Sequence, residues 1–370
     1  MNQQAFWGAG NEQMMQMLSN GWAQALKAFQ NVPGAPAGTA ADIPAPVAFD
    51  QDRLRELQQQ YLQEAMELWK QSSQGVVGGI KDKRFAAAAW QQNPLAAFSA
   101  ASYVLNARTM MGLADAVVGD EKTRARILFG VEQWMAAMAP SNFLAFNAEA
   151  QQKAIDTKGQ SLAQGMQNLL NDLRQGHVSM TDESKFEVGK NVATTEGAVV
   201  YENELFQLIE YKPLTAQVYE RPLLFVPPCI NKFYILDLQP DNSLIRYAVS
   251  EGHRTFVVSW RNPDEGLGNQ TWDDYIENAV IRAIEVAKEI SGQPQINTLG
   301  FCVGGTMLVN ALGVLAARGD DSVASTTLLT TLVDFSDTGV LDVFIDEAFV
   351  RFREMSIGKG GLMRGQELAS

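Results

Sequence analysis

Met14, Leu18, Trp22, Leu26 and Phe29 recur at intervals of three and four, so the spacing predicts an amphipathic helix over residues 11–30. Asn31 to Phe49 breaks that period with four prolines among small residues and reads as an extended linker. The helical period returns with Leu54, Leu57, Tyr61, Ala65, Leu68 and Trp69. It continues through Asn93–Val117, Lys122–Met138 and Ser161–Leu173. Near Phe186 the pattern changes. Ala198–Val200, Leu205–Tyr211, Leu223–Val226, Thr255–Trp260, Gln295–Leu299 and Thr326–Val333 read as strands, the later ones separated by helical runs of which Trp272–Ile290 is the clearest. An early strand pair followed by alternating strand and helix predicts an α/β sheet with helices on its faces. The expected organisation is therefore an amphipathic helix at 1–30, a linker at 31–49, a helical domain at 50–185 and an α/β core from 186 to 370. The helix at 11–30 is read first as a face docked on the protein's own core. Its isolation by the linker adds a surface- or partner-binding role as the alternative.

Composition narrows the class. A chain of 370 residues with 46% hydrophobic and 19% charged residues has ample material for two cores. The formal net charge of −13 argues against a nucleic-acid binder, which needs a basic footprint. Two cysteines, Cys229 and Cys302, suggest no disulfide framework and fit a reducing cytosol. Residues 1–30 lack the pattern of a signal peptide, and no apolar run is long enough to predict a membrane span. The expected location is cytoplasmic.

The chemistry concentrates at Gly300-Phe-Cys302-Val-Gly304-Gly305, between the strand-like Gln295–Leu299 and the helix-like Thr306–Ala317. Strand, tight turn and helix form the setting of a nucleophile elbow, here with cysteine in place of serine. Glycines on both sides leave room for a sharp turn. The free N–H groups and dipole of the following helix favour a thiolate. A lone cysteine is usually a small buried hydrophobe, but strand, glycines and helix together favour the nucleophile. Upstream, Leu223-Leu-Phe-Val-Pro-Pro-Cys-Ile-Asn-Lys232 is a strand entering a tight turn. In this fold the oxyanion hole combines the N–H after the nucleophile with one from such a loop, which nominates Val303 and Ile230. The alternative is that Pro227-Pro228 only ends a strand. Cys229, which has no elbow, reads as a packed thiol.

The partners of the nucleophile are the difficulty. An acid and a histidine are expected after it in the chain, yet His177 and His253, the two histidines, both precede Cys302. His177 falls in a polar turn, and His253, just before a strand, is placed at the edge opposite the elbow; both read as surface or capping residues. Asp334 and Asp337 follow the next strand, where an acid can sit, but their spacing favours helix capping. With a single strand after the elbow, the sequence reads as the front part of a longer enzyme.

From about Arg84 onward the sequence resembles the class I poly(3-hydroxyalkanoate) synthases. The resemblance is carried by Trp90-Gln-Gln-Asn-Pro-Leu, Phe186-Glu-Val-Gly-Lys-Asn-Val-Ala, Glu202-Asn-Glu-Leu-Phe-Gln-Leu and Val226-Pro-Pro-Cys-Ile-Asn-Lys-Phe-Tyr-Ile-Leu-Asp-Leu. Val258-Ser-Trp-Arg-Asn-Pro-Asp, Thr271-Trp-Asp-Asp-Tyr and Leu299-Gly-Phe-Cys-Val-Gly-Gly complete it. It implies an acyltransferase in which Cys302 takes the acyl group of an (R)-3-hydroxyacyl-CoA, with CoA released and a polyester extended. The implied oxyanion donors are Val303 and Ile230. The CoA thioester is the substrate, and no further cofactor or metal is implied. The resemblance further implies a homodimer associated with polyester granules, and an aspartate and histidine lying beyond residue 370 after a lid-like insertion. Two other readings remain: an inactive folding or dimerisation unit, and a cysteine-elbow ester hydrolase, which leaves the helical first half unexplained.

Overall fold

The structure is a computed structural model that describes residues 48–75, 79–345, 347–358, 361–363 and 365. The amphipathic helix expected over 11–30 and residues 31–47 of the expected linker lie outside the described residues. The chain divides into two compact units, Met1–Ser179 and Met180–Ser370.

The first unit is helical. Ala48–Phe49 (β1), assigned above to the linker, instead pairs antiparallel with Val117–Val118 (β2). Between them run Gln51–Ser73 (α1), the short Ala88–Gln92 (α2) and Pro94–Asp115 (α3). Asp50 caps α1 by accepting the Asp52 and Arg53 N–H groups at 2.9 and 3.1 Å. Asn93 caps α3, whose first residue is Pro94, a position that needs no N–H. Glu121–Ala137 (α4), Ala148–Asp156 (α5) and Gln160–Gln175 (α6) follow. The core gathers Phe85, Trp90, Tyr103, Leu113, Val131 and Met135. Tyr103 is buried with its hydroxyl satisfied, donating to the Met135 carbonyl at 2.6 Å.

The second unit is built on a six-stranded sheet. Its strands are Gly197–Glu202 (β3), Phe206–Tyr211 (β4), Leu223–Val226 (β5), Thr255–Trp260 (β8), Ile296–Phe301 (β9) and Val323–Leu329 (β10); Asp237–Gln239 (β6) and Asn242–Ser243 (β7) form a separate small pair. The order is β10-β9-β5-β8-β4-β3. The β3–β4 and β4–β8 pairs are antiparallel, and β8, β5, β9 and β10 run parallel. Side chains alternate across the sheet, as the two-residue strand period requires. Phe256, Val258 and Trp260 join one core, while Val257 joins the other.

Helices cover both faces. Leu244–Ser250 (α7), a short helix that the sequence period does not single out, buries Ile245, Ala248 and Val249 on one face. On the other, Trp272–Tyr275 (α8) continues through a π-helical turn, Ile276–Ile281, into Arg282–Ser291 (α9). A reciprocal capping box between Thr271 and Asp274 starts α8, and Gly292, with φ of 68°, stops α9. Val303–Ala317 (α10) completes that layer, and Glu347–Ile357 (α11) follows the sheet. The start of the second unit falls before the expected change at 186. Residues ahead of β3 are tied to this unit: Thr195 donates its hydroxyl to the Asp237 carboxylate at 2.6 Å, and Ala193 N–H donates to the Asp237 carbonyl at 3.0 Å. No helix among the described residues is long and apolar enough to cross a membrane.

Candidate active site

Cys302 sits between β9 and α10 with φ of 53° and ψ of −129°, a region that side-chain-bearing residues rarely occupy. Two hydrogen-bond sets hold it there. Its N–H donates to the Leu329 carbonyl at 2.9 Å, tying the elbow to the end of β10. Its carbonyl accepts the Gly305 and Thr306 N–H groups at 2.9 and 3.2 Å and so opens α10. Thr306 also donates its hydroxyl to the Leu332 carbonyl at 2.7 Å. The strained residue is thus over-determined by its neighbours.

Each glycine of the motif faces a different obstacle. A Cβ on Gly300 would stand 2.4 Å from the Gly305 Cα. One on Gly305 would meet the Thr331 Oγ1 at 2.0 Å, and one on Gly304 would stand 2.3 Å from the Val226 carbonyl oxygen and 2.5 Å from that of Pro227. The last contact joins the two parts of the proposed machinery. β5 and β9 are parallel neighbours, with Val226 paired to Gly300, so the loop after β5 and the elbow after β9 emerge side by side. Val303 and Gly304 head α10 and have no carbonyl a turn earlier to bond, which leaves their N–H groups available at the elbow. Ile230 lies in the adjoining turn, its side chain exposed. Cys302 and Val303 are half-buried.

Cys229 packs half-buried against the same core as Trp260 and Tyr275. Burial pushes its thiol up, its own backbone N–H opposes this, and a charge on Cys302 raises it further. The Tyr275 hydroxyl is raised by burial and then by Cys229. Sequence alone does not bring Trp260 here: its indole N–H donates to the Pro227 carbonyl at 2.7 Å. The available signal was a tryptophan at the carboxyl end of a strand, a residue that needs a partner for its N–H when buried.

The polar candidates lie elsewhere. Leu223 pairs with both Thr255 and Asn297, so those residues are level across the sheet. His253 lies two residues before that level and Cys302 five residues after it, on the order of 20 Å apart along the strands. The His253 N–H bonds the Ala248 carbonyl at 3.1 Å just past α7, and the ring rests on Tyr219 at 5.1 Å. A cleft of about 460 Å³ opens at this opposite edge, between Tyr219, Arg221, His253, Gln293 and Asn297. It is remote from the thiol and takes no part in the elbow. His177 is exposed in the turn after α6, in the first unit. Asp334 accepts the Ser336 N–H at 2.9 Å and Asp337 the Gly339 N–H at 3.0 Å, each closing a turn. The Ser336 N–H and then its hydroxyl hold the Asp334 carboxyl below the usual range. β10 was expected over Thr326–Val333 but ends at Leu329, because Thr330 turns with φ of 44°.

Comparison with known proteins supports the fold. Residues 81–248 match the family described as Poly-beta-hydroxybutyrate polymerase (PhaC) N-terminus, and residues 222–362 match the alpha/beta hydrolase fold. The chain is 54% identical over 362 residues to the Poly(3-hydroxyalkanoate) polymerase subunit PhaC of Cupriavidus necator, covering 94% of this chain and 62% of that protein. It is 36% identical over 337 residues to the subunit of the same name from Rhizobium meliloti, covering 87% of this chain and 55% of that one. With the Poly(3-hydroxyalkanoate) polymerase of Methylorubrum extorquens it shares 40% identity over 294 residues, covering 78% and 49%. The chain therefore spans between about half and three-fifths of the length of these relatives, and over most of its own length it is similar to poly(3-hydroxyalkanoate) polymerases.

Proposed function

We propose that this chain carries the acyl-accepting part of a polyester polymerase and that Cys302 is its nucleophile. The observation behind the reading is the strained Cys302 backbone, held between β9 and α10 by close-packed glycines. Strain of this kind persists only where surrounding structure enforces it, and it presents the side chain above the sheet. In the reaction the Cys302 thiolate attacks the thioester carbonyl of an (R)-3-hydroxyacyl-CoA, with 3-hydroxybutyryl-CoA the expected substrate. A carbon–sulfur bond to the enzyme forms, the bond to CoA breaks, and CoA leaves with the electron pair. The Val303 and Ile230 N–H groups are the donors for the oxygen that becomes negative on the way. The hydroxyl of one unit then attacks the thioester carbonyl of another. A carbon–oxygen bond forms, the carbon–sulfur bond breaks, the thiolate leaves with the electron pair, and the hydroxyl proton passes to a base, so the polyester lengthens by one ester bond.

A cysteine suits this sequence of steps, because the acyl group stays on a reactive thioester and thiol exchange is nearly balanced. The leaving group brings its own activation, so no additional cofactor is required. A homodimer acting on cytoplasmic polyester granules belongs to the same proposal. The base that activates the incoming hydroxyl is not His253, which lies at the far edge of the sheet. The test is a thiol-release assay with the 370-residue chain and 3-hydroxybutyryl-CoA, read with intact-protein mass spectrometry. The expected result is CoA release with an acyl group carried on Cys302. Acylation that survives Cys302→Ala would overturn the assignment.

A further inference from the structure

We propose that Trp260 is a positioning residue for acyl transfer, setting the oxyanion loop against the elbow through its indole N–H. The inference rests on the reading of Cys302, Val303 and Ile230 above. Its starting point is a gap in the sheet. The β5–β8 register ends at Phe225 with Val257, and the β5–β9 register ends at Val226 with Gly300. The next two residues are Pro227 and Pro228, which have no N–H to give to either neighbouring strand. The chain thus loses its ladder donors at the point where the loop bearing Ile230 must be held in place.

Through the acceptor that Pro227 retains, Trp260 instead ties the loop down from the end of β8. Its Nε1–H reaches the Pro227 carbonyl at 2.7 Å, a buried bond. The same carbonyl meets Gly304 from the α10 side, where a Cβ would come within 2.5 Å. One oxygen is therefore fixed between the indole and the first turn of α10. Ile230 follows it by three residues, and Val303 directly precedes Gly304. Displacing that oxygen changes the separation of the two nominated N–H donors. Trp260 is itself fixed: its backbone pairs with Phe206, its ring lies against Tyr275 at 5.9 Å, and 9% of it is exposed. The tryptophan touches neither the thiol nor the acyl group in this scheme. It acts through Pro227.

A packing role and a positioning role predict different kinetics. Acylation passes through an oxyanion, whereas alkylation of the same thiol by iodoacetamide does not. The experiment compares wild type, Trp260→Phe and a variant carrying 3-benzothienylalanine at position 260, which keeps the shape of tryptophan with sulfur in place of N–H. Cys302 acylation is followed with 4-nitrophenyl butyrate and with 3-hydroxybutyryl-CoA, alkylation with iodoacetamide, and folding by thermal unfolding. The expected result is acylation slowed ~10–100-fold in both variants with alkylation within about twofold of wild type, since one donor is misplaced and the nucleophile is intact. Acylation that stays with wild type in the benzothienyl variant overturns the proposal. So does acylation and alkylation falling by one common factor, the signature of a packing role alone. If the nitrophenyl ester acylates Cys302 and the CoA thioester does not, the substrate assignment falls while the comparison at Trp260 stands. If neither ester acylates wild-type Cys302, the nucleophile reading fails and takes this inference with it.

Discussion

The two edges of the central sheet are made from the same strands and have opposite characters. At the carboxyl edge, β9 is followed directly by a residue forced to positive φ, with glycines pressed against carbonyls and side chains. At the amino edge, His253 stands beside Tyr219 in an open polar cleft, and its backbone closes an ordinary helix end. One edge tolerates almost no added atom, and the other has room for many. Parallel strands aim their carboxyl ends, and the helix N-termini that follow, at a single side of the molecule. In the proposed reaction a nucleophile placed there receives N–H groups from α10 and from the loop after β5. A histidine at the other end of a strand receives none of this, whatever its sequence distance from the cysteine.

The sharpest way to break this comparison is to remove the thiol. Cys302→Ala is expected to abolish acylation by 3-hydroxybutyryl-CoA, and Cys302→Ser to be nearly as poor, because a serine alkoxide is far harder to form than a thiolate. Intact-mass detection of the acyl group checks both. Full acylation of the alanine variant would move the chemistry away from the elbow.

Next in size is the crowding itself. Gly304→Ala places a methyl group 2.3 Å from the Val226 carbonyl oxygen, so α10 and the loop must separate. The expected cost is roughly 1–3 kcal/mol in urea unfolding, in the range of overpacked cores, with slower acylation besides. Gly313→Ala in the same helix is the control, since nothing lies within 4 Å of the added atom. It should stabilise by about 0.5–1 kcal/mol through helix propensity. Equal effects at the two positions would show that the contact with the loop is slack.

The motif's glycine spacing made the elbow legible, because a strand, a sharp turn and a helix constrain residue types locally. The obstacles that require those glycines were not legible. Gly304 meets a loop more than 70 residues earlier in the chain, and Gly305 meets Thr331 beyond the next strand. Contacts of that separation leave no periodic trace. The same holds for Trp260, whose partner is a carbonyl and so has no side-chain identity to read. Strands buried on both faces were found as apolar runs, whereas α7 was missed because seven residues are too few to display a helical period. The expected end of β10 was late because Leu332 and Val333 prolong the apolar run past the turn at Thr330.

Substitution at the amino edge tests the comparison from its other side. His253→Ala is expected to leave the acylation of Cys302 within about twofold, against the ~10²–10⁴-fold that removal of a general base costs. Its effect should be confined to a modest loss of thermal stability, as the ring leaves Tyr219. A hundredfold fall in acylation with unchanged unfolding would place the imidazole at the thiol in solution and contradict the register of β8 and β9.

The smallest expected effect is electrostatic and reads how closely Cys229 senses the elbow. Burial first, and the charge on Cys302 in addition, push the Cys229 thiol up, so it stays protonated into the alkaline range. Only the thiolate reacts readily with a maleimide. Replacing Cys302 by serine keeps the size of the neighbour and removes its charge. One of the raising causes disappears, the Cys229 thiol ionises more easily, and its labelling profile moves toward lower pH. The burial contribution remains, so the profile stays above that of an exposed cysteine. Peptide-resolved maleimide labelling across the alkaline range measures both statements at once. An unmoved profile in Cys302→Ser would mean that the two sulfurs do not interact. Cys229 would then be a packed core thiol unconnected to the charge at the elbow.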